Sequence, residues 1–575
     1  MPSVSDLLFA ALLLGLSCGA LGRLLLRDAG TGWHIRNGQM MLQTHSITRV
    51  DPFSATMSGR PWYAWEWLYD VLIAAIHHVL GLNGVVFYTA AVIAATFVLV
   101  FHLALRRGGS LPITLFLLVL SLGASAVHFL ARPHVLSWLL AVIWFEVLDS
   151  AASGAGLDSK LNLDSESSQI WRLFCLPLLM LLWVNLHGGF LLGFALLGVY
   201  LLAAGIQYFT RQERREKIGT WLKTIGLVSV LSLLASLVNP YGYALHVHIY
   251  RYLSDRFLMN HVSEFLSPDF HGVAQQCFAV LLLVTIAALS SAKRQHQPAR
   301  LLVILLAAYS GLYASRNLPV SAMLLTLIVA PLLSETAAKA SENAAIVPWL
   351  RTLFSRLQSF AARMEKLEAR FQGPLWMVLV FVLGMWACMH GGRLGSAQLL
   401  SAYFDDKHFP VEAAELIAQR DIREPIFCPD QWGGFLIYRL YPQTKVMVDD
   451  RHDLYGDQFF KDYLKVVLVQ PEWRKVLEEK HVNWILVQKN SSLGTILEQT
   501  AGWKLIHEDR TSVLFHRERA AAETNSVARA PSPRSRMDKT AICASNHLWM
   551  GEPAGQTGCR GNRQTLRVGA PAPHG

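Results

Sequence analysis

Asp28 opens the stretch DAGTGWHIRNGQ (28–39), where the first long apolar run stops. A carboxylate at that point can take a proton from a hydroxyl, the work of a general base. It can also pair with Arg27 or Arg36, or cap a helix starting at Gly30 and Thr31. His34 offers a donor for an anion, a metal ligand, or a ring bonded to backbone. Trp33 offers a ring for stacking or, the commoner use, an interfacial anchor. Asp51, just before Pro52, reads as a turn or cap residue, or as a second acid or metal ligand. Glu66 lies inside WYAWEWL (62–68), where burial among aromatic rings would raise its pKa and fit it for an acid or a ligand.

Further along, polar motifs recur between apolar runs: ARPH (131–134), VNLHGG (184–189) and SRN (315–317). Arg132 and Arg316 can hold a phosphate with two parallel hydrogen bonds, or snorkel to lipid headgroups. His134, Asn185, His187 and Asn317 supply donors for phosphate or hydroxyl groups. Gly188 and Gly189 allow close backbone approach or tight helix packing. Glu264, Asp269 and His271 give oxygen and nitrogen ligands for a divalent cation, Mg or Mn. In VDDRHDLYGD (448–457), Asp449, Asp450, Asp453 and Asp457 stand near a strand end, either lining a site or solvated in a loop.

The elements that carry these groups are membrane helices. Of 575 residues, 53% are hydrophobic and 16% charged, against about 25% charged in soluble chains. Eleven apolar stretches read as spans: 6–26, 84–105, 111–129, 133–149, 171–184, 189–209, 220–238, 273–291, 300–315, 317–334 and 374–392. Most are long enough to cross a hydrocarbon core of about 30 Å. WLYDVLIAAIHHVL (67–80) is too short and reads as an interfacial helix in a first outer loop over 27–83. With the N-terminus inside, RR (106–107), RQERREK (211–217), AKRQHQPAR (292–300) and an amphipathic segment over 335–373 all face the cytoplasm. The positive-inside rule is then met at each loop, and it accounts for the net charge of +10 without nucleic acid. The same topology gathers the polar motifs on the outer face. Such groups are costly in lipid, so one shared site is expected there. The seven cysteines lack metal-ligand spacing and read as small buried hydrophobes. No cleavable signal peptide is expected, since MPSVSD has no basic residue.

After the last span, residues 393–520 alternate short strands (425–429, 445–450, 484–488, 512–517) with helical patterns, which predicts a small α/β domain. From 521 to 575 the composition turns to Ala, Arg, Ser, Pro and Gly without period, as in a disordered basic tail. The predicted whole is a polytopic α-helical membrane protein with a C-terminal extracytoplasmic α/β domain.

DAGTGWHIRNGQ, DPFSAT, WEWLYDV, ARPHVLSW, LLWVNLHGGFLLG, NPYG, SPDFHG, SRNLP and DQWGGFLIYRLYPQTKVMVDDRHDLYGD together resemble a bacterial family of multipass proteins placed near the GT-C superfamily. GT-C enzymes are integral membrane glycosyltransferases that take a sugar from a polyprenyl-phosphate or diphosphate carrier. The resemblance covers about residues 1–520. It implies an inner-membrane enzyme that moves a sugar to a glycan, lipid or protein acceptor, with Asp28 in the place of the catalytic acid. One departure stands out. Many GT-C enzymes carry paired acids in the first loop, whereas here Asp28 precedes Ala29-Gly30-Thr31 and the next acid is Asp51. A transporter of lipid-linked sugars would need polar groups deep in the spans, which are mostly Leu, Val and Ala. A non-catalytic cell-envelope assembly protein would keep the motifs without turnover.

Overall fold

The computed structural model describes residues 2–154, 170–291, 297–342, 347–370 and 375–518. The predicted tail over 521–575 lies outside the described residues. Among the described residues seven helices are long and apolar enough to cross a membrane, and shorter apolar helices occupy Val4–Ser17, Trp171–Leu186, Pro298–Tyr313 and Leu375–Met389. They fall where the spans are predicted. The protein is a helical membrane protein.

Two elements differ from expectation. The first apolar run is broken: helix Val4–Ser17 stops at an extended Cys18, and a short helix, Gly19–Leu24, follows. Gly19 takes φ +61°, which a side chain would resist. The predicted interfacial helix and the next span are one run, Trp67–Arg106, interrupted only where Gly81 adopts φ 61° and ψ −160°.

The first outer segment is not a plain loop. Gly30–Thr44 is a helix, so the glycines of DAGTGWHIRNGQ are contact points rather than hinges. A Cβ on Gly38 would lie 1.9 Å from the Asp70 carbonyl oxygen, and one on Gly32 2.3 Å from that of Gly434. A Cβ on Gly434 would in turn lie 2.3 Å from the Ala29 carbonyl oxygen. Helix Gly30–Thr44 is thereby wedged between the start of Trp67–Arg106 and helix Asp430–Leu440. Arg36 secures the second contact by donating to the Tyr438 carbonyl at 2.9 and 2.6 Å.

The C-terminal region holds a four-stranded sheet: β1 (Ile426–Phe427), β2 (Trp484–Gln488), β3 (Trp503–Glu508) and β4 (Ser512–Arg517), in the order β1-β2-β4-β3. β1 and β2 run parallel and the other pairs antiparallel. β3 is absent from the predicted strands. The predicted strand over 445–450 is reduced to a bridge in which Val446 pairs with Ile426 on one side and Ser54 on the other. The Ala55 N–H donates to the Val446 carbonyl at 2.8 Å, and the Thr56 hydroxyl to Met447 at 2.6 Å. The first outer segment therefore extends the C-terminal sheet. Apolar packing is continuous as well. Phe97, Trp144 and Trp183 of the helices belong to the same buried cluster as Phe404, Phe409 and Phe435.

Candidate active site

Four helix pairs turn back at one end of the bundle, through residues 126–133, 187, 237–272 and 314–317. Side chains from all of these turns except the stretch before Tyr252 meet the first outer segment and residues 450–453 around a cleft holding about 850 Å³ of empty space. A second cavity of about 710 Å³ shares His128, His134, His187, Glu264 and Arg316 with the first and is closed by Leu192, Val320 and Leu324.

Arg132 is the centre of one wall. Its Nη1 donates to Asp28 at 2.7 Å and to Asp450 at 2.6 Å. Asp28 also accepts from the Gly30 N–H at 2.7 Å, in the first turn of helix Gly30–Thr44, and Trp33 Nε1 donates to Asp450 at 2.9 Å. Asp28 thus pairs with Arg132, not with the predicted Arg27 or Arg36. The other guanidinium nitrogens of Arg132 have no protein partner among the described residues, and the side chain is 22% exposed in the cleft. Burial lifts Asp450 to about 6 although Arg132 pulls it down.

Glu66 faces Arg132 across the cleft without an arginine in contact. Its two oxygens lie 3.6 Å from His34 Nε2 and 3.6 Å from His187 Nε2. Burial raises it to about 7, against the pull of Arg132 and Arg316. His187 Nδ1 accepts from the Gly189 N–H at 3.0 Å and stands 2.8 Å from the Ser137 hydroxyl. That hydroxyl already accepts from Trp183 Nε1 at 2.7 Å, so its proton goes to Nδ1. With Nδ1 an acceptor, neutral His187 carries its proton on Nε2, toward Glu66. His34 is fully buried behind Glu66, and burial, then Arg132, lowers its pKa.

Arg316 reaches Glu264 at 3.3 Å and lies over the Phe265 ring at 4.6 Å. Burial would raise Glu264, but Arg316 and Arg132 outweigh it and hold it at about 2. Glu264 is therefore a fixed anion. His134 donates from Nε2 to the His128 carbonyl at 2.8 Å and lines both cavities. Asn317 lines the second cavity and donates to the Ser310 carbonyl at 3.2 Å.

Other predicted site residues lie elsewhere. Asn185 lines neither cavity: it accepts from Trp67 Nε1 at 2.8 Å and donates to the Leu181 and Val238 carbonyls, which ties three helix ends together. Asp51 is buried, accepts from the backbone of Phe53 and Ser54, and sits 2.8 Å from Arg451 Nη1. Glu264, Asp269 and His271 do not form a cation site. Glu264 is held by Arg316, while Asp269 and His271 turn to each other at 2.5 Å, 76% and 95% exposed. The acids Asp28 and Asp450 have a guanidinium between them, where a cation would sit. Among the described residues only Glu412, His507 and Asp509 bring three ligand atoms within 4.8 Å of one another, and they do not line the cleft.

No family model matches the chain, and no curated protein matches it in sequence. The crystal structure of the Archaeoglobus fulgidus oligosaccharyltransferase in its apo form superposes with a TM-score of 0.51 at 12% identity, over 84% of this chain and 69% of that one. The shared fold is GT-C. The same archaeal enzyme tethered to an acceptor peptide containing the NVT sequon gives 0.48 at 13% identity, and its complex with zinc and sulfate 0.47 at 11%.

Within this GT-C fold, the structure adds residues that motif reading passed over. Asp70 holds His34 at 2.5 Å. His452 lines the cleft with Nε2 2.9 Å from Asp430, which raises its pKa in spite of burial. Tyr63, Trp65 and Tyr252 make an aromatic wall. Asp430 and Asp70 stand inside the motifs DQWGGFL and WEWLYDV, but their partners are 22 and 36 residues away, so the motifs alone do not show what they hold.

Proposed function

We propose that the protein is a membrane glycosyltransferase of the GT-C type that moves a sugar from a polyprenyl-phosphate carrier to an acceptor hydroxyl or amide with inversion. One observation carries this reading. Two arginines, Arg132 and Arg316, and a carboxylate that protonates near neutrality, Glu66, face one cleft at the turn end of an apolar bundle. The resemblance in fold to an oligosaccharyltransferase supports it.

Transfer breaks the bond from the sugar's anomeric carbon to phosphate and forms one to the acceptor. Arg132, with free N–H groups, and Arg316 stabilise the charge that gathers on the departing phosphate. Glu66 takes the acceptor's proton, because it is anionic above about pH 7 and no arginine neutralises it. Asp28, expected as the base, is instead assigned to aim Arg132 together with Asp450. Tyr63 and Trp65 offer rings for the sugar, and His452, Asp450 and Asp453 bring the C-terminal part to the acceptor side. Asp28, Asp450 and Glu264 are each held by an arginine, which takes the place of a cation beside them.

In this reading residues 1–392 form the membrane part and 393–520 an extracytoplasmic part. The cleft opens outside a bacterial inner membrane, and the N-terminus and basic loops lie in the cytoplasm, in keeping with the positive-inside rule. The test is release of free polyprenyl phosphate by the chain in nanodiscs, from a panel of polyprenyl-phosphate sugars. Release lowered about 100-fold by Glu66→Gln and weakened less by Asp28→Asn is expected. Release by neither wild type nor variants, with the lipids bound, would overturn the reading.

A further inference from the structure

His34 is fully buried, and its Nε2 has no hydrogen-bond partner; it is aimed at Glu66 Oε2, 3.6 Å away. Its other nitrogen, Nδ1, lies 2.5 Å from Asp70 Oδ1. The second oxygen of Asp70 accepts from Asn37 Nδ2 at 2.6 Å. Asn37 cannot be turned round, because its Oδ1 accepts from the Thr48 hydroxyl at 2.7 Å. Oδ2 of Asp70 is therefore an acceptor only, and a single proton lies on the line between Oδ1 and Nδ1. Two arrangements are open to it. With the proton on Nδ1, Nε2 presents a lone pair to Glu66. With the proton on Asp70, Nε2 carries a hydrogen and presents it to a Glu66 carboxylate.

We infer that Asp70 and His34 form an inward proton relay that empties Glu66 after each transfer. The inference rests on the reading of Glu66 as the base. The acceptor's proton passes to Glu66 as the acceptor bonds to the anomeric carbon and the electron pair of the broken bond leaves on phosphate. Glu66 then gives this proton to His34 Nε2, and the Nδ1 proton moves to Asp70 Oδ1. Glu66 is again a carboxylate, and one proton is stored on Asp70. It returns along the same path to the phosphate or to water when product leaves. No redox partner is needed.

The geometry explains why the relay runs inward. Asp70 and His34 are 1% and 0% exposed, so the stored proton is out of reach of the cleft water. On its other side Glu66 meets His187, whose Nε2 already bears a hydrogen and whose Nδ1 is occupied, so that ring cannot accept. Asp70 and His34 are positioning residues here: they act through Glu66 and do not touch substrate.

The experiment uses the full chain in nanodiscs with ¹⁵N-labelled histidine, the His34 signals being assigned by their loss in His34→Gln. The groups facing Glu66 are His34, His187, Arg132, Arg316, Asp453 and Trp65. The His34 ring nitrogens should shift as Glu66 titrates, and Glu66→Gln should remove that response. Asp70→Asn should fix one tautomer of His34, flatten the low-pH side of the rate profile and lower kcat about 100-fold with KM for the lipid-linked donor unchanged. His34 signals that ignore both pH and Glu66→Gln would overturn the relay. If Asp70→Asn does not fold, the Glu66→Gln spectra decide alone. A chain that turns over no donor while His34 follows Glu66 removes the transferase reading and leaves the proton coupling between Glu66, His34 and Asp70 standing.

Discussion

Two arginines in this protein each bridge two aspartates, and they differ in what is left over. Arg451 donates from Nε and Nη2 to Asp449 at 2.7 Å each, sits 2.8 Å from Asp51 through Nη1, and lies 4.5 Å over the Trp62 ring. Asp449 accepts a further bond from Tyr455 at 2.8 Å. The Arg451 side chain is 1% exposed, so Nη1, which faces Asp51 without a hydrogen bond, is sealed from solvent. Arg132 spends one nitrogen on Asp28 and Asp450 and turns the rest to the cleft. The closed cluster is a clamp joining the first outer segment to the C-terminal sheet. The open one is a binding group, because only unspent donors can meet a ligand. A charged cluster is thus told apart by whether its unused donors reach the cleft rather than by its composition.

The sharpest way to break the comparison is Arg451→Ala. It leaves Asp449 and Asp51 buried without a counter-charge, an expected loss of about 3–5 kcal/mol. Denaturant unfolding of the detergent-solubilised chain reads it, and stability within about 1 kcal/mol of wild type would deny that Arg451 is a clamp.

Arg132→Ala should do the reverse. The fold survives, while transfer falls about 100- to 1,000-fold, as when one donor to a developing anion is removed. Equal loss of stability in the two variants would erase the distinction.

Glu66→Gln should lower transfer about 100-fold and remove a pH dependence. The wild-type rate falls as pH drops through about 7 and Glu66 gains its proton. Stability moves the other way. A carboxyl raised from 4.5 to about 7 contributes fully below about pH 4.5, and that contribution is lost as pH rises through about 7. Unfolding curves that diverge between wild type and Glu66→Gln with rising pH are expected.

The smallest effect belongs to Asp269→Ala. This exposed pair with His271 should change stability by less than about 0.5 kcal/mol and leave transfer unaltered. A drop in divalent-cation binding to the chain would instead restore Asp269 as a ligand.

Much of the fold was legible. Apolar run length and the basic loops are local properties, so the helices fall where expected, from Leu111–Ser125 to Leu375–Met389. The helical Gly30–Thr44 was legible only as the alternative in which Asp28 caps a helix at Gly30, because Gly30, Gly32 and Gly38 count against a helix until the Asp70 backbone packs on Gly38 and the distant Gly434 backbone on Gly32. β3 was missed for a similar reason. None of its residues is buried, Lys504, Leu505 and Glu508 being exposed, and pairing with β4 rather than a buried face holds it. Of the candidate site, Arg132, Glu66, His187 and Arg316 were found because polar groups at the ends of apolar runs are conspicuous. Asn185 and Asp51 carried the same signal and proved to be bound by neighbours.

By itself, the sequence determined that this chain is a bundle of membrane helices with its chemistry concentrated at their ends. Burying the apolar runs and expelling charge depends on composition along the chain alone. Tertiary structure decided what each charge does. Asp449 and Asp450 are adjacent, yet their side chains part. One closes on Arg451 in the core, and the other crosses 318 residues of sequence to Arg132 in the cleft. No local pattern separates them, because what separates them is whether the arginine each one meets is sealed in the core or open to the cleft.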